Sequence, residues 1–320
     1  MRPSPPLSRH GRLPLPVPHS DDEEHSPAMP NGPSNLPRRL ASAGRPLLTA
    51  PLNGMAHLTQ HLRCLPTFLI IGAQRCGTTS LFKALRQHPC LMGPIVGKGV
   101  HYFDVQYERD LNFYRGRFPT RAMARARGSG EGAQIGESSP YYLFHPLVPE
   151  RVARDLPGVR VIVALRDPVE RAYSAHAHET ARGYETQPFE RALEMEGERL
   201  AREEQHLLDG GCSFSHRHHA YLARGHYIDQ LLRWEHHLGR DRMHVVESEA
   251  FFTAPATVFA DIEAFLGLPH HTGVRFDRHN ARPRAGLPAR LRDQLAEHFA
   301  PYDERLARWW GRTPGWRRRE

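Results

Sequence analysis

The chain has 320 residues, 39% of them hydrophobic and 24% charged, with a formal net charge of +8. These values fit a globular protein with room for one large domain or two modest ones, and no apolar run approaches the ~20 residues of a membrane-spanning helix. The basic balance favours an anionic partner without choosing among nucleic acid, membrane surface and a small polyanion.

The basic residues are dispersed and lack interleaved aromatic platforms, which disfavours nucleic acid. Cys64, Cys76, Cys90 and Cys212 are scattered without C-x-x-C spacing, and prolines interrupt the N-terminus where a secretory leader would carry its apolar stretch. A reducing, cytoplasmic setting is expected from this, and neither a zinc ribbon nor a disulfide framework. The histidine runs His216–His219, His236–His237 and His270–His271 read as solvated surface, since neighbouring histidines on a helix point in different directions. No metal is expected.

Residues 1–66 are rich in proline, serine and arginine, carry an acidic patch from Asp21 to Glu24, and show no periodicity. They read as a disordered tail ahead of an ordered domain at 67–320. Phe68–Ile71 is a short apolar run ended by Gly72, the pattern of a buried parallel strand. A helix over 78–87 follows, with Leu81, Phe82 and Leu85 on one face, and Pro89 stops it. Ala133–Gly136 is a weaker strand and Val159–Leu165 a strong one, with a helix through Ala181 after the latter. Segments 189–209 and 220–238 read as polar amphipathic helices, Met243–Val246 as a strand, and Leu287–Trp310 as a helix buried along Leu291, Leu295, Phe299 and Leu306. Strands alternating with helices predict an α/β fold with a mostly parallel central sheet and helices on both faces.

Two segments carry the chemistry. The first strand runs into Gly72-Ala73-Gln74-Arg75-Cys76-Gly77-Thr78-Thr79-Ser80 and then a helix. Two glycines with four residues between them, set between strand and helix, suit a loop that curls its N–H groups around a phosphate. Threonine follows Gly77 where a nucleotide triphosphatase or kinase needs lysine, the cation sits inside the loop at Arg75, and no acid directly ends the next strand to hold magnesium. A glycine-rich turn with no ligand is the plain alternative for this loop alone. The second segment is Arg166-Asp167-Pro168-Val169-Glu170-Arg171-Ala172-Tyr173-Ser174. Arginine at the C-terminal end of a parallel strand faces the ligand crevice, and Ser174 adds a hydroxyl two turns into the next helix. The plain alternative for Arg166 is a salt bridge to Asp167 or Glu170. Together the segments make two separate anion sites, which one ligand with two distant anionic groups would explain.

The loop resembles the 5′-phosphosulfate loop of sulfotransferases that use 3′-phosphoadenosine-5′-phosphosulfate (PAPS), and the Arg-to-Ser spacing resembles their 3′-phosphate motif. The chain looks most like the carbohydrate branch typified by heparan sulfate N- and 3-O-sulfotransferases. Lys98-Gly99-Val100-His101-Tyr102-Phe103-Asp104, Gly136-Glu137-Ser138-Ser139-Pro140-Tyr141, Arg224-Gly225-His226-Tyr227 and Asn280-Ala281-Arg282-Pro283-Arg284 add to the likeness, which covers about residues 67–312. The resemblance implies a P-loop-like three-layer fold. It implies that Arg75, Gly77, Thr78, Thr79 and Ser80 hold the 5′-phosphosulfate and that Arg166 and Ser174 hold the 3′-phosphate. Arg282 and Arg284 match a basic loop over the cofactor, and His101 and Asp104 match an acceptor-side motif to which Glu137 is added. The acceptor would be a glycan or another hydroxyl- or amine-bearing molecule.

The chain departs from that branch at Arg75, where lysine is usual, at Gly99, where the 3-O-sulfotransferases have a glutamate base, and at Ser138, where they have lysine. The usual base is therefore missing. His101, two residues along, would face the same side in an extended segment, and its ordinary pKa suits a base near neutrality. Lys98 would assist the sulfuryl group, and Arg75 the leaving phosphate. The other readings are a nucleotide-binding protein of this fold with impaired catalysis and, less favoured, a P-loop kinase.

Overall fold

A computed structural model describes residues 59–128, 132–277, 279 and 286–318. Residues 1–58 of the expected tail lie outside these, as do Arg282 and Arg284. Five strands, β1 (Phe68–Gly72), β2 (Leu91–Met92), β3 (Gln134–Ser138), β4 (Arg160–Leu165) and β5 (Met243–Glu247), form one sheet in the order β2-β3-β1-β4-β5. Every pairing is parallel, with Phe68 opposite both Gly136 and Arg160, and Val161 opposite Met243. The three strands read most clearly from the sequence are the adjacent trio β1, β4 and β5. Phe68 to Ile71 are each at most 1% exposed, as a central strand covered on both faces requires. Each such side chain contributes about 1.5–3 kcal/mol on burial.

The strand order positions the site. After β1 the chain moves to one edge for β2 and β3, then crosses back past β1 to β4 and on to β5. Right-handed crossovers in opposite directions put helices on opposite faces of the sheet. The connections leaving β1 and β4 thus diverge, and the crevice between their C-terminal ends is where such sheets bind ligands. The loop 72–80 and Arg166 both stand there.

Three local expectations are revised. The stretch 189–209 is two helices, Phe189–Leu200 and Glu203–Leu208, broken where Arg202 takes φ 68°. In 220–238 only Tyr227–Leu238 is α-helical. The buried Glu196 carboxylate accepts the N–H groups of Tyr221, Leu222 and Ala223, at 2.9, 2.7 and 2.8 Å, so these donors are engaged outside a helical ladder. Residues 59–66, assigned to the tail from sequence, pack on the folded unit: Arg63 is buried, its Nη1 donates to the Phe118 carbonyl at 2.7 Å, and Cys64 N donates to Pro119 O.

Candidate active site

The loop after β1 is shaped by its backbone. Arg75 and Gly77 both have positive φ, 71° and 77°, and the first helical bond of Thr78–Leu85 runs from Leu81 N to Gly77 O. The N–H groups of Thr78, Thr79 and Ser80 precede that bond and lie at the positive end of the helix, a cradle for an anion. Glycine is required at 77, because a Cβ there would meet the Phe252 ring and Ser248 Oγ at 3.2 Å in a left-handed conformation. Ser80 Oγ accepts the N–H of His279 at 2.8 Å, so the chain just before 280 lies against this helix.

The second segment forms as expected. Asp167 caps the helix Pro168–Ala181 by accepting from Val169 N, with Pro168 in the first turn. The two anion sites are directly linked. Arg75 Nε donates to Ser174 Oγ at 3.1 Å, joining the loop to the helix. Tyr227 binds the halves from below: its hydroxyl donates to the Arg166 carbonyl at 2.9 Å and lies 3.8 Å from Cys76 Sγ. Arg166 makes the plain salt bridge to Glu170, at 3.5 Å, and a second to Glu249, also at 3.5 Å.

Across the crevice, Lys98–Asp104 rests on the end of β3. Ser138 N donates to Lys98 O at 2.8 Å, and His101 N to Ser139 Oγ at 3.1 Å. Beneath them Glu137 is fully buried, accepting from Val100 N, Tyr114 Oη, Ser139 Oγ and Tyr142 Oη at 2.5–2.9 Å. Burial pushes its carboxyl up while these donors pull it down. Glu137 was expected to touch the acceptor, but its oxygens face these four donors, and its place is to hold the strip in position.

His101 is not in an extended segment. It has φ 55° and ψ 40° at the start of the short helix Tyr102–Val105, so simple alternation does not aim it. A contact does: His101 Nδ1 lies 2.7 Å from Asp104 Oδ2. The carboxylate is an acceptor, so Nδ1–H donates, which in the neutral imidazole leaves the lone pair on Nε2. The Asp104 side chain is 0% exposed and that of His101 32%, which makes Asp104 an orienting group rather than an acceptor contact. Gly99 closes against the same strand end. A Cβ there would stand 2.4 Å from Ser138 O and 2.7 Å from Ser139 Oγ, so the present backbone has no room for a glutamate at 99.

Lys98 is half-buried, and its ammonium is pushed down to about 8, first by desolvation and then by Arg75, with Glu137 opposing. The loop cation and the acceptor-side lysine therefore act on each other across the crevice.

Several contributors had no role in the sequence reading. Gln74, within the loop, donates to Glu179 Oε1 at 3.2 Å and accepts from the buried Arg224. Arg224 also donates to the carbonyls of His216 and Arg217 and lies over Tyr141 and Phe144. The Arg224-to-Tyr227 motif was visible, but the partners of its two ends were not. His216 and His218, read as solvated, are buried, against Tyr141 Oη at 2.8 Å and Glu179 Oε2 at 3.1 Å.

The sulfotransferase domain family model matches residues 65–281. The human heparan sulfate glucosamine 3-O-sulfotransferase 3A1 is 28% identical over 267 residues, 82% of this chain and 59% of that protein. The bifunctional heparan sulfate N-deacetylase/N-sulfotransferase 1 of Caenorhabditis elegans is 26% identical over 261 residues, 78% of this chain and 28% of that protein. The chain thus spans less than two thirds of the length of either. A sulfotransferase crystal structure from Alicyclobacillus acidocaldarius is 31% identical with a TM-score of 0.59, covering 80% of this chain and 100% of that one.

Proposed function

The chain belongs to the sulfotransferase domain family, and on that premise we propose that it is an enzyme that moves a sulfuryl group from PAPS to a hydroxyl or amine of a carbohydrate. The observation that carries this is the convergence of the 72–80 cradle, Arg75, Ser174 and Arg166 on the crevice between β1 and β4. The residues present fit the nucleotide: a loop with two positive-φ positions and a helix N-terminus for the 5′ group, and Arg166 with Ser174 for the 3′-phosphate. When bound, PAPS supplies an electrophilic sulfuryl group and a leaving phosphate oxygen. Arg75 and the loop N–H groups would meet the charge that grows on the leaving side, as in phosphoryl transfer.

On the acceptor side His101 Nε2 would take the acceptor's proton, with Asp104 holding the tautomer and steadying the imidazolium. Lys98 would offer a charge to the sulfuryl oxygens. The His101–Asp104 pair favours an active enzyme over a nucleotide-binding relative without catalysis, because a base remains although Gly99 replaces the usual glutamate. The similarity to heparan sulfate enzymes supports a glycan acceptor. A cytoplasmic setting also belongs to the proposal, on the scattered spacing of the four cysteines.

The test has two arms. 3′,5′-ADP without magnesium should raise the melting temperature more than Mg-ATP, with ~2.7 kcal/mol of stabilisation at a hundredfold excess over Kd. Radiolabelled PAPS should transfer label to at least one member of a panel of glycans. Equal or greater stabilisation by Mg-ATP would favour a kinase. Binding of 3′,5′-ADP with no turnover of PAPS, even by slow hydrolysis, would favour a nucleotide-binding protein.

A further inference from the structure

Arg166 is held by two carboxylates that are not equivalent. Glu170 lies one turn along in the helix that follows β4, and its Oε2 is 3.5 Å from Arg166 Nη2. Its other oxygen is 2.7 Å from Arg292 Nη2, so its charge is already shared with a second guanidinium. Glu249 arrives from the opposite side, in the short helix Ser248–Thr253 that follows β5, with Oε1 3.5 Å from Arg166 Nε. Arg166 is its single ion-pair partner among the described residues, and its side chain is 49% exposed. The segment that carries it also borders the loop, since Ser248 and Phe252 flank Gly77.

An anion arriving at Arg166 therefore meets a like charge on the same guanidinium. Like charges at this range repel appreciably even near a surface, and a partly exposed pair at 3.5 Å such as Arg166–Glu249 is weak enough to yield. Burial raises the Glu249 carboxyl and Arg166 lowers it, while Asp167 and Glu247 add negative charge nearby. The carboxylate is thus already in an unfavourable field before any phosphate enters.

We propose that Glu249 is a competitor for Arg166: it holds the guanidinium in the free protein, yields it to the 3′-phosphate of the nucleotide, and takes it back on release. This rests on the assignment of Arg166 to the 3′-phosphate. Glu249 accordingly limits affinity for 3′-phosphorylated nucleotides and hastens departure of the 3′,5′-ADP product, leaving nucleotides without a 3′-phosphate unaffected.

The experiment is calorimetry of 3′,5′-ADP and 5′-AMP on the full chain and on Glu249→Gln, Arg166→Ala and the double variant. Glutamine keeps the size and hydrogen bonding of a half-exposed side chain and removes only its charge. Glu249→Gln should tighten 3′,5′-ADP by roughly three- to tenfold and change 5′-AMP by less than about twofold, given that 5′-AMP places no charge at Arg166. In the Arg166→Ala background the same substitution should change neither. Unchanged or weaker 3′,5′-ADP binding in Glu249→Gln would overturn the proposal and make Glu249 a support for Arg166. An equal gain in the Arg166→Ala background would overturn it as well. If the unsubstituted chain binds the two nucleotides equally, the 3′-phosphate assignment itself fails, whatever Glu249 does.

Discussion

The donor half of the crevice, residues 72–80 with Arg166 and Ser174, and the acceptor half, Lys98–Asp104 on Glu137, are held in different ways. The donor half is mainly backbone: two positive-φ residues, a helix start and a capped second helix. The acceptor half hangs on one buried carboxylate with four donors and on a His–Asp pair. A backbone cradle tolerates side-chain drift, so arginine stands at 75 where the branch has lysine and the loop retains its shape. A side-chain assembly is less forgiving: Gly99 is packed on Ser138 O, and in the proposed reading the role of base falls to His101, which Asp104 orients.

This contrast can be broken one residue at a time. The largest effect is expected on the acceptor side. His101→Ala should lower kcat by ~10²–10⁴-fold, the usual worth of a general base, with 3′,5′-ADP affinity nearly unchanged. Steady-state kinetics on any active acceptor, with calorimetry in parallel, would show it. A variant that retains more than about half its kcat would exclude His101 as the base. Gly99→Glu is not expected to rescue it, because the new side chain would collide with Ser138 and Ser139.

Next comes the support. Glu137→Ala leaves two tyrosine hydroxyls, a serine hydroxyl and a backbone N–H without their acceptor, which should cost ~2–4 kcal/mol of stability. Chemical denaturation would measure this, and a loss below ~1 kcal/mol would mean that water replaces the carboxylate easily.

The donor side should respond more narrowly. Arg166→Ala should weaken 3′,5′-ADP by about 10- to 100-fold through loss of a charge-assisted partner, with little change for 5′-AMP. Similar losses for both ligands would make Arg166 structural.

The smallest effect sharpens the comparison. Lys98 has a folded pKa of about 8 against an ordinary 10.5, so folding disfavours its charged form. That penalty is complete below about pH 8 and fades as pH rises towards 10.5, because over that interval the unfolded chain binds more protons. Lys98→Met should therefore stabilise the protein at pH 7 by about 1 kcal/mol, lose that advantage at high pH, and lower kcat. Destabilisation at pH 7 would show that Lys98 supports the fold rather than straining it.

The sequence determined the parts whose cause is local. Apolar runs marked the central strands β1 and β4, because strands covered on both faces need unbroken hydrophobicity, and a shorter, interrupted run marked the edge strand β5. Glycine spacing marked the loop because Gly77 turns the chain through positive φ at the helix start, while Gly72 leaves no room for a Cβ against Leu143. Asp167-Pro168 marked a helix start, since cap and first turn are neighbours. The two-residue strand β2 carried too few residues to show any period.

Only the tertiary structure decided the rest. The contact of Arg75 with Ser174, 99 residues apart, tied the two anion sites to each other. Glu196 drew three N–H groups away from a helix that the composition of 220–226 favoured. Glu137, Asp104 and Glu249 took their roles from what surrounds them: four donors, a histidine ring and a shared guanidinium. A side chain's charge can be read from its letter, but whether that charge faces a ligand, a partner or the interior depends on residues brought together from distant parts of the chain, and no local pattern records which ones arrive.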